Sequence, residues 1–214
     1  GAAVELAELD PRFVGRSPEG IGLLIAGKLG GLGPGAGCDG PVAKIARDLR
    51  VTENGERPVV LVDYKAGFED AARGAVTSVD WGLAVVDPTT AAIRMAWHLA
   101  AMVTEMERGV PPATRHLDSP ELVEIAVRLF RDARVRGVLA VLNRVPARTT
   151  ETYMRNELRG SGARIASVFD EDTGIAVQWL RGLPLSSERA SAAGRVLARE
   201  VTAMARTAPA MASA

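Results

Sequence analysis

The sequence predicts an α/β fold: a mostly parallel sheet with helices on both faces. Three observations carry this. Short apolar runs of four to six residues recur along the chain, rich in branched or small side chains. Longer stretches of helical periodicity lie between them. The order strand, helix, strand then repeats, which is the signature of parallel strands joined by helical crossovers.

In chain order, the apolar runs are residues 21–26 (IGLLIA), 59–62 (VVLV), 83–86 (LAVV), 138–142 (VLAVL) and 165–168 (IASV). Each is bounded by turn-forming or charged residues and reads as a buried strand. The helical patterns are residues 41–49, 89–107, 120–133, 149–158 and 174–180, and an amphipathic stretch at 188–206 closes the fold. Within the second of these, Trp97 lies at helical spacing from Ile93 and Ala101 and reads as core. Residues 27–40 form a glycine-rich loop, and residues 109–119, with Pro111, Pro112 and His116, an exposed connection. Residues 207–214 are an Ala/Met/Pro tail expected to fray. No repeat or linker divides the 214 residues, so a single domain spanning 1–214 is expected.

Composition narrows the function. Hydrophobic residues make up 47% and charged residues 24%, with a formal net charge of zero. That is enough apolar material for a core and argues against a nucleic-acid-wrapping or polybasic membrane protein. The arginine run Arg128, Arg131, Arg134 and Arg136 reads as a solvated face, so a nucleic-acid partner is not expected. No apolar run approaches the ~20 residues of a membrane span. The single cysteine, Cys38, forbids an internal disulfide, and the expected compartment is the cytoplasm. Lysines are few: Lys28, Lys44 and Lys65.

Chemistry concentrates at strand ends. The run Val59-Val60-Leu61-Val62 leads into Asp63, with Gly67 four residues on. In an open α/β sheet, ligands bind outside the carboxyl ends of strands. An aspartate there can hold Mg²⁺ through water, and a glycine amide can approach a terminal phosphate. The same spacing also describes a buried strand entering an ordinary Asp/Gly turn. Asn143 ends a second strand, and its amide has the donor and acceptor that a purine edge requires, though an asparagine also commonly starts a loop. Phe169 and Asp170 end a third. Three polar strand ends on one edge would form one crevice.

The order Asp63-x-x-Ala66-Gly67, Val85-Val86-Asp87-Pro88-Thr89, Asn143-Arg144-Val145, Phe169-Asp170 and Gly182-Leu183-Pro184 resembles the MinD/ParA-like P-loop ATPases. Within them it is most similar to the CooC-type ATPases that mature carbon monoxide dehydrogenase, through Gly35-Ala36-Gly37-Cys38-Asp39-Gly40-Pro41 and Ala66-Gly67-Phe68-Glu69-Asp70-Ala71-Ala72-Arg73-Gly74. The resemblance covers about residues 21–206. It implies ATP and Mg²⁺ as cofactors, Asp63 as a Walker-B-type aspartate, and Gly67 as the phosphate-sensing glycine. It places Asn143 and Arg144 at the adenine and Phe169 with Asp170 in the base-side loop. It further implies a homodimer with a metalloenzyme client.

The sequence departs from that pattern at two points. No lysine here is followed by serine or threonine, so the Lys-Gly-Gly-x-Gly-Lys-Ser/Thr phosphate loop is not among these residues. That loop and its strand would precede Gly1, and an upstream segment or a separate chain is expected to complete the sheet. The family's Cys-x-Cys metal loop has Gly40 at its second position, and Lys65 stands where an acidic residue is usual. Cys38 is the one remaining thiol of that loop, and no tight nickel or zinc site is expected. ATP hydrolysis is expected only with a phosphate loop supplied. The rival reading is a non-hydrolytic adaptor that kept the fold; a ParA-like DNA-partitioning role is a minor third.

Overall fold

The computed structural model describes residues 3–24, 50–56, 58–64, 75–110, 113–114 and 118–206. The chain is α/β and divides into two compact units, Gly1–Ser78 and Val79–Ala214.

In the first unit, β1 (Ala3–Glu5) pairs in parallel with β4 (Arg50–Thr52), and β2 (Val14–Arg16) pairs antiparallel with β3 (Gly22–Leu24). The β2–β3 hairpin closes through Ser17-Pro18-Glu19-Gly20, where the Gly20 N–H donates to the Ser17 carbonyl at 2.9 Å. After β4, Asn54 and Gly55 adopt φ of 54° and 76°, the left-handed pair that a tight Asn-Gly turn needs. The Glu5 carboxylate accepts from both amides, at 2.7 and 3.3 Å, tying that turn to β1.

Two expectations fail here. Residues 21–26 are expected as a buried strand; of these, Gly22–Leu24 form the hairpin strand β3, on which Leu23 is exposed, as is Ile21 just before it, and residues 25–26 lie outside the described residues. Residues 59–62 form no strand at all, and their side chains are 37–73% exposed. An apolar run becomes a core strand only when neighbours pair its backbone and helices cover its faces; among the described residues this run has neither. The strands β1, β2 and β4 carry too little apolar pattern to be read from sequence. The helix expected at 41–49 and the loop at 27–40 lie outside the described residues.

The second unit follows the sequence closely. Its sheet has the order β5-β6-β7, all parallel, from β5 (Gly82–Val86), β6 (Val138–Val145) and β7 (Arg164–Asp170). Helices α1 (Thr90–Glu107) and α2 (Pro120–Arg131) lie between β5 and β6, and α3 (Arg148–Glu157) between β6 and β7. After β7 come α4 (Thr173–Leu180) and α5 (Glu188–Arg206). Side-chain caps set three helix starts: Thr89, Ser119 and Asp172 each accept from amides of the first turn.

Alternation along β6 sorts the layers. Ala140 and Leu142 join Val86 of β5, Ile93 and Ala96 of α1, and Met154 and Leu158 at α3 in one buried cluster. Val141 points the other way and stands beside Ser167, whose hydroxyl donates to the Ala193 carbonyl of α5 at 2.8 Å. Helices therefore cover both faces, α1 and α3 on one and α5 on the other. Trp97 is not core: the buried stripe of α1 is Ile93, Ala96, Ala100, Val103 and Met106, and Ala101 is exposed. The Trp97 indole instead donates to the Glu157 carbonyl at 2.9 Å, fastening α1 to α3. At the start of β6, a Cβ on Gly137 would stand 2.7 Å from the Trp81 ring, so only glycine lets that ring close the bottom of the sheet. Among the described residues, no helix is long and apolar enough to cross a membrane.

Candidate functional site

Polar residues gather at the carboxyl ends of β5, β6 and β7: Asp87, Asn143 and Asp170. Register brings the first two together. Val86 stands opposite Leu142, so the residues that follow, Asp87 and Asn143, are neighbours although 56 positions apart. The Asn143 Nδ2 donates to Asp87 Oδ1 at 2.9 Å, in a partly buried setting. A carboxylate only accepts, so the amide must turn its NH₂ toward Asp87. Burial strengthens the bond, since such a pair meets less competition from water.

Local backbone irregularity opens the edge. The β6–β7 ladder slips between Leu142 and Val145, and Arg144 sits at φ 54°. That left-handed conformation is uncommon for a residue with a Cβ. Asn143 and Arg144 are thereby released from pairing before the ladder closes again at Val145 and Asp170. Beyond β5, the Thr89 N–H donates to the Asp87 carbonyl at 2.7 Å, and the Thr89 hydroxyl caps α1. A crevice of about 180 Å³ results, lined by Asp87, Pro88, Thr89, Arg144, Pro146 and Glu171. Ligand pockets typically run to about 300–1,000 Å³, so this space admits part of a nucleotide rather than the whole.

The third strand end is built by the next helix. Phe169 is half-buried and Asp170 exposed at the end of β7, and Glu171 N–H donates to the Val145 carbonyl at 2.9 Å. Asp172 then caps α4 through Gly174 and Ile175 and accepts from the Ser187 hydroxyl at 2.6 Å. The Ser187 hydroxyl, followed by the Ile175 amide, holds the Asp172 carboxyl below its ordinary range. Neither Asp172 nor Ser187 was singled out in the sequence, although Asp-Thr-Gly before an apolar run is a recognisable cap. Asp87 was visible only as part of a motif, with no role attached.

The other residues weighed in the sequence lie elsewhere in the chain. Asp63 is exposed and follows the run 59–62 in the first unit. Gly67, Cys38 and Lys65 lie outside the described residues. His98, which no motif spacing marks as a ligand, is on the exposed side of α1, and His116 lies outside the described residues. Among the described residues, no group of three or more His, Cys, Asp or Glu is placed to hold a metal ion.

No known protein family's profile matches the chain. Over 79 residues, 36% of its length, it is 34% identical to an uncharacterized ATP-binding protein of Methanocaldococcus jannaschii. The matched stretch spans 31% of that relative. Two solved structures align with 95% of the chain, both from Aquifex aeolicus. One is the MinC:MinD cell division protein complex, with 70% of that chain covered, 13% identity and a TM-score of 0.47. The other is the MinD cell division protein, with 72% covered, 14% identity and a TM-score of 0.46.

Proposed function

We propose that this chain supplies the base-binding end of an ATP-dependent switch of the MinD/ParA type. The observation that carries it is the Asp87–Asn143 pair at the carboxyl ends of two adjacent parallel strands, where an open α/β sheet binds its ligands. The order of motifs from Asp63 to Pro184 and the 34% identity to an ATP-binding relative support the same reading. Asn143 and Arg144 lie at the base, with Phe169 and Asp170 flanking it. Asp63 and Gly67 serve the phosphates and Mg²⁺ once a phosphate loop joins them. Dimerisation coupled to ATP is the output.

The finer reading is CooC-type maturation of a metalloenzyme client, and it rests on the sequence runs around Cys38 and Gly67. The rival reading is a non-hydrolytic adaptor that kept the fold, and a phosphate-loop lysine upstream of these residues would decide against it; among them, none of Lys28, Lys44 and Lys65 is followed by Ser or Thr. Phosphate affinity in such sites comes largely from loop amides and that lysine.

Calorimetric titration with MgATP tests the proposal. The 214-residue chain is expected to bind in the millimolar range without turnover. Asn143→Ala should weaken binding roughly fivefold, the effect of one hydrogen bond of ordinary strength. Absence of binding, or binding indifferent to Asn143→Ala, overturns the base-end reading. Micromolar affinity with phosphate release abolished by Asp63→Ala would show that this chain already holds a working phosphate site.

A further inference from the structure

The Asp87–Asn143 bond has a directional consequence. An amide carries a donor end and an acceptor end, and which end faces a ligand depends on how the group is flipped. At Asn143 the flip is settled by chemistry. Turning Oδ1 toward Asp87 would set an acceptor against a carboxylate, whereas Nδ2 donates to Oδ1 of Asp87 at 2.9 Å. The amide oxygen is therefore left as an acceptor facing away from Asp87, in a fixed orientation.

Purines differ in the complementary order. Adenine presents an exocyclic amine beside an acceptor ring nitrogen; guanine presents a carbonyl at the same carbon. An amide locked with its oxygen as the acceptor meets the adenine amine and opposes the guanine carbonyl. Only an N–H in place of that oxygen would suit the guanine carbonyl, and Asp87 forbids the reversal that would put one there. We infer that Asp87 is a positioning residue that sets base selectivity: by holding the Asn143 amide in one orientation, it selects a 6-amino purine over a 6-oxo purine. This deepens the proposed nucleotide reading and rests on it. The side chain of Asp87 is free to act this way without shaping the turn, because that turn uses the Asp87 backbone carbonyl, which accepts from the Thr89 N–H.

Nucleoside binding to the full chain, followed by NMR at millimolar concentration, tests the assignment while leaving phosphates out. The wild-type chain should bind adenosine about tenfold more tightly than guanosine, the scale of one mismatched polar contact. Inosine, which exchanges the amine for a carbonyl, should bind as poorly as guanosine, and this comparison needs no variant. In Asp87→Asn either amide orientation finds a partner, so the adenosine-to-guanosine ratio should fall below about threefold through tighter guanosine binding. Asp87→Glu, which restores a carboxylate, should recover the preference. Equal weakening of both nucleosides in Asp87→Asn, or inosine binding as well as adenosine, overturns the assignment while the nucleotide reading survives. Failure of the wild-type chain to bind any of the three overturns both.

Discussion

Two apolar runs in this protein look alike in sequence and end in opposite environments. Residues 138–142 (VLAVL) are 0–4% exposed, whereas residues 59–62 (VVLV) are 37–73% exposed. The first lies in β6, with β5 and β7 bonded to its two edges, α1 and α3 on one face and α5 toward the other. The second is bonded into no strand. Composition supplies the apolar surface, but pairing and coverage decide whether it is removed from water. The contrast extends to chemistry. Asn143, just after the covered run, has a fixed partner and orientation; Asp63, just after the uncovered one, is exposed.

Truncating the two runs should give the largest separation. Leu142→Ala removes a fully buried side chain from the cluster around Met154 and should cost roughly 2–5 kcal/mol by denaturant titration. Leu61→Ala, at 73% exposure, should stay within about 0.5 kcal/mol. Equal losses would mean that the run at 59–62 is buried in solution and the comparison is mistaken.

A smaller effect sharpens the account of why the second unit closes. Gly137→Ala places a methyl group 2.7 Å from the rigid Trp81 ring at the base of β6. The expected loss is about 1–3 kcal/mol, the usual scale of overpacking, with a change in tryptophan fluorescence. An Ala variant as stable as the parent would show that the Trp81 ring is not held there.

The smallest effect is electrostatic. Asp172 has its folded pKa depressed, chiefly by Ser187 and the α4 amides, relative to an ordinary value of 3.8. A depressed carboxylate contributes stability above its unfolded pKa and loses it as pH falls through the folded value. The melting temperature should therefore be insensitive to this group at neutral pH and decline below about pH 4, with part of that decline absent in Asp172→Asn. Its partial exposure makes the contribution small and salt-sensitive. A pH profile identical in the two proteins would remove Asp172 as its source.

Legibility in the sequence followed the same division. The second unit's strands and helices could be read because period, caps and burial agree: Thr89, Ser119 and Asp172 mark helix starts, and Ala140 and Leu142 alternate with Leu139 and Val141. The parallel sheet was visible for this reason; Asn143, expected at a strand end, instead lies within β6 at the irregularity before Val145. Its bond to Asp87 was not visible, because it depends on the β5–β6 register, which no local pattern encodes. Trp97 was misread because helical spacing from Ile93 puts it on the rim of the buried stripe, where its indole finds the Glu157 carbonyl. Residues 59–62 misled for the opposite reason: a strand's fate is set by neighbours distant in sequence. The three-residue pairings of the first unit are too short to leave a periodic signal.

Amide hydrogen exchange on the dilute chain tests the central contrast most directly, because it reads both runs in one sample. The account predicts slow exchange for the amides of residues 138–142, near the stability limit of the second unit, and fast exchange for those of residues 59–62. Protection of residues 59–62 equal to that of 138–142 would contradict it, since it would require a bonded strand at 59–62.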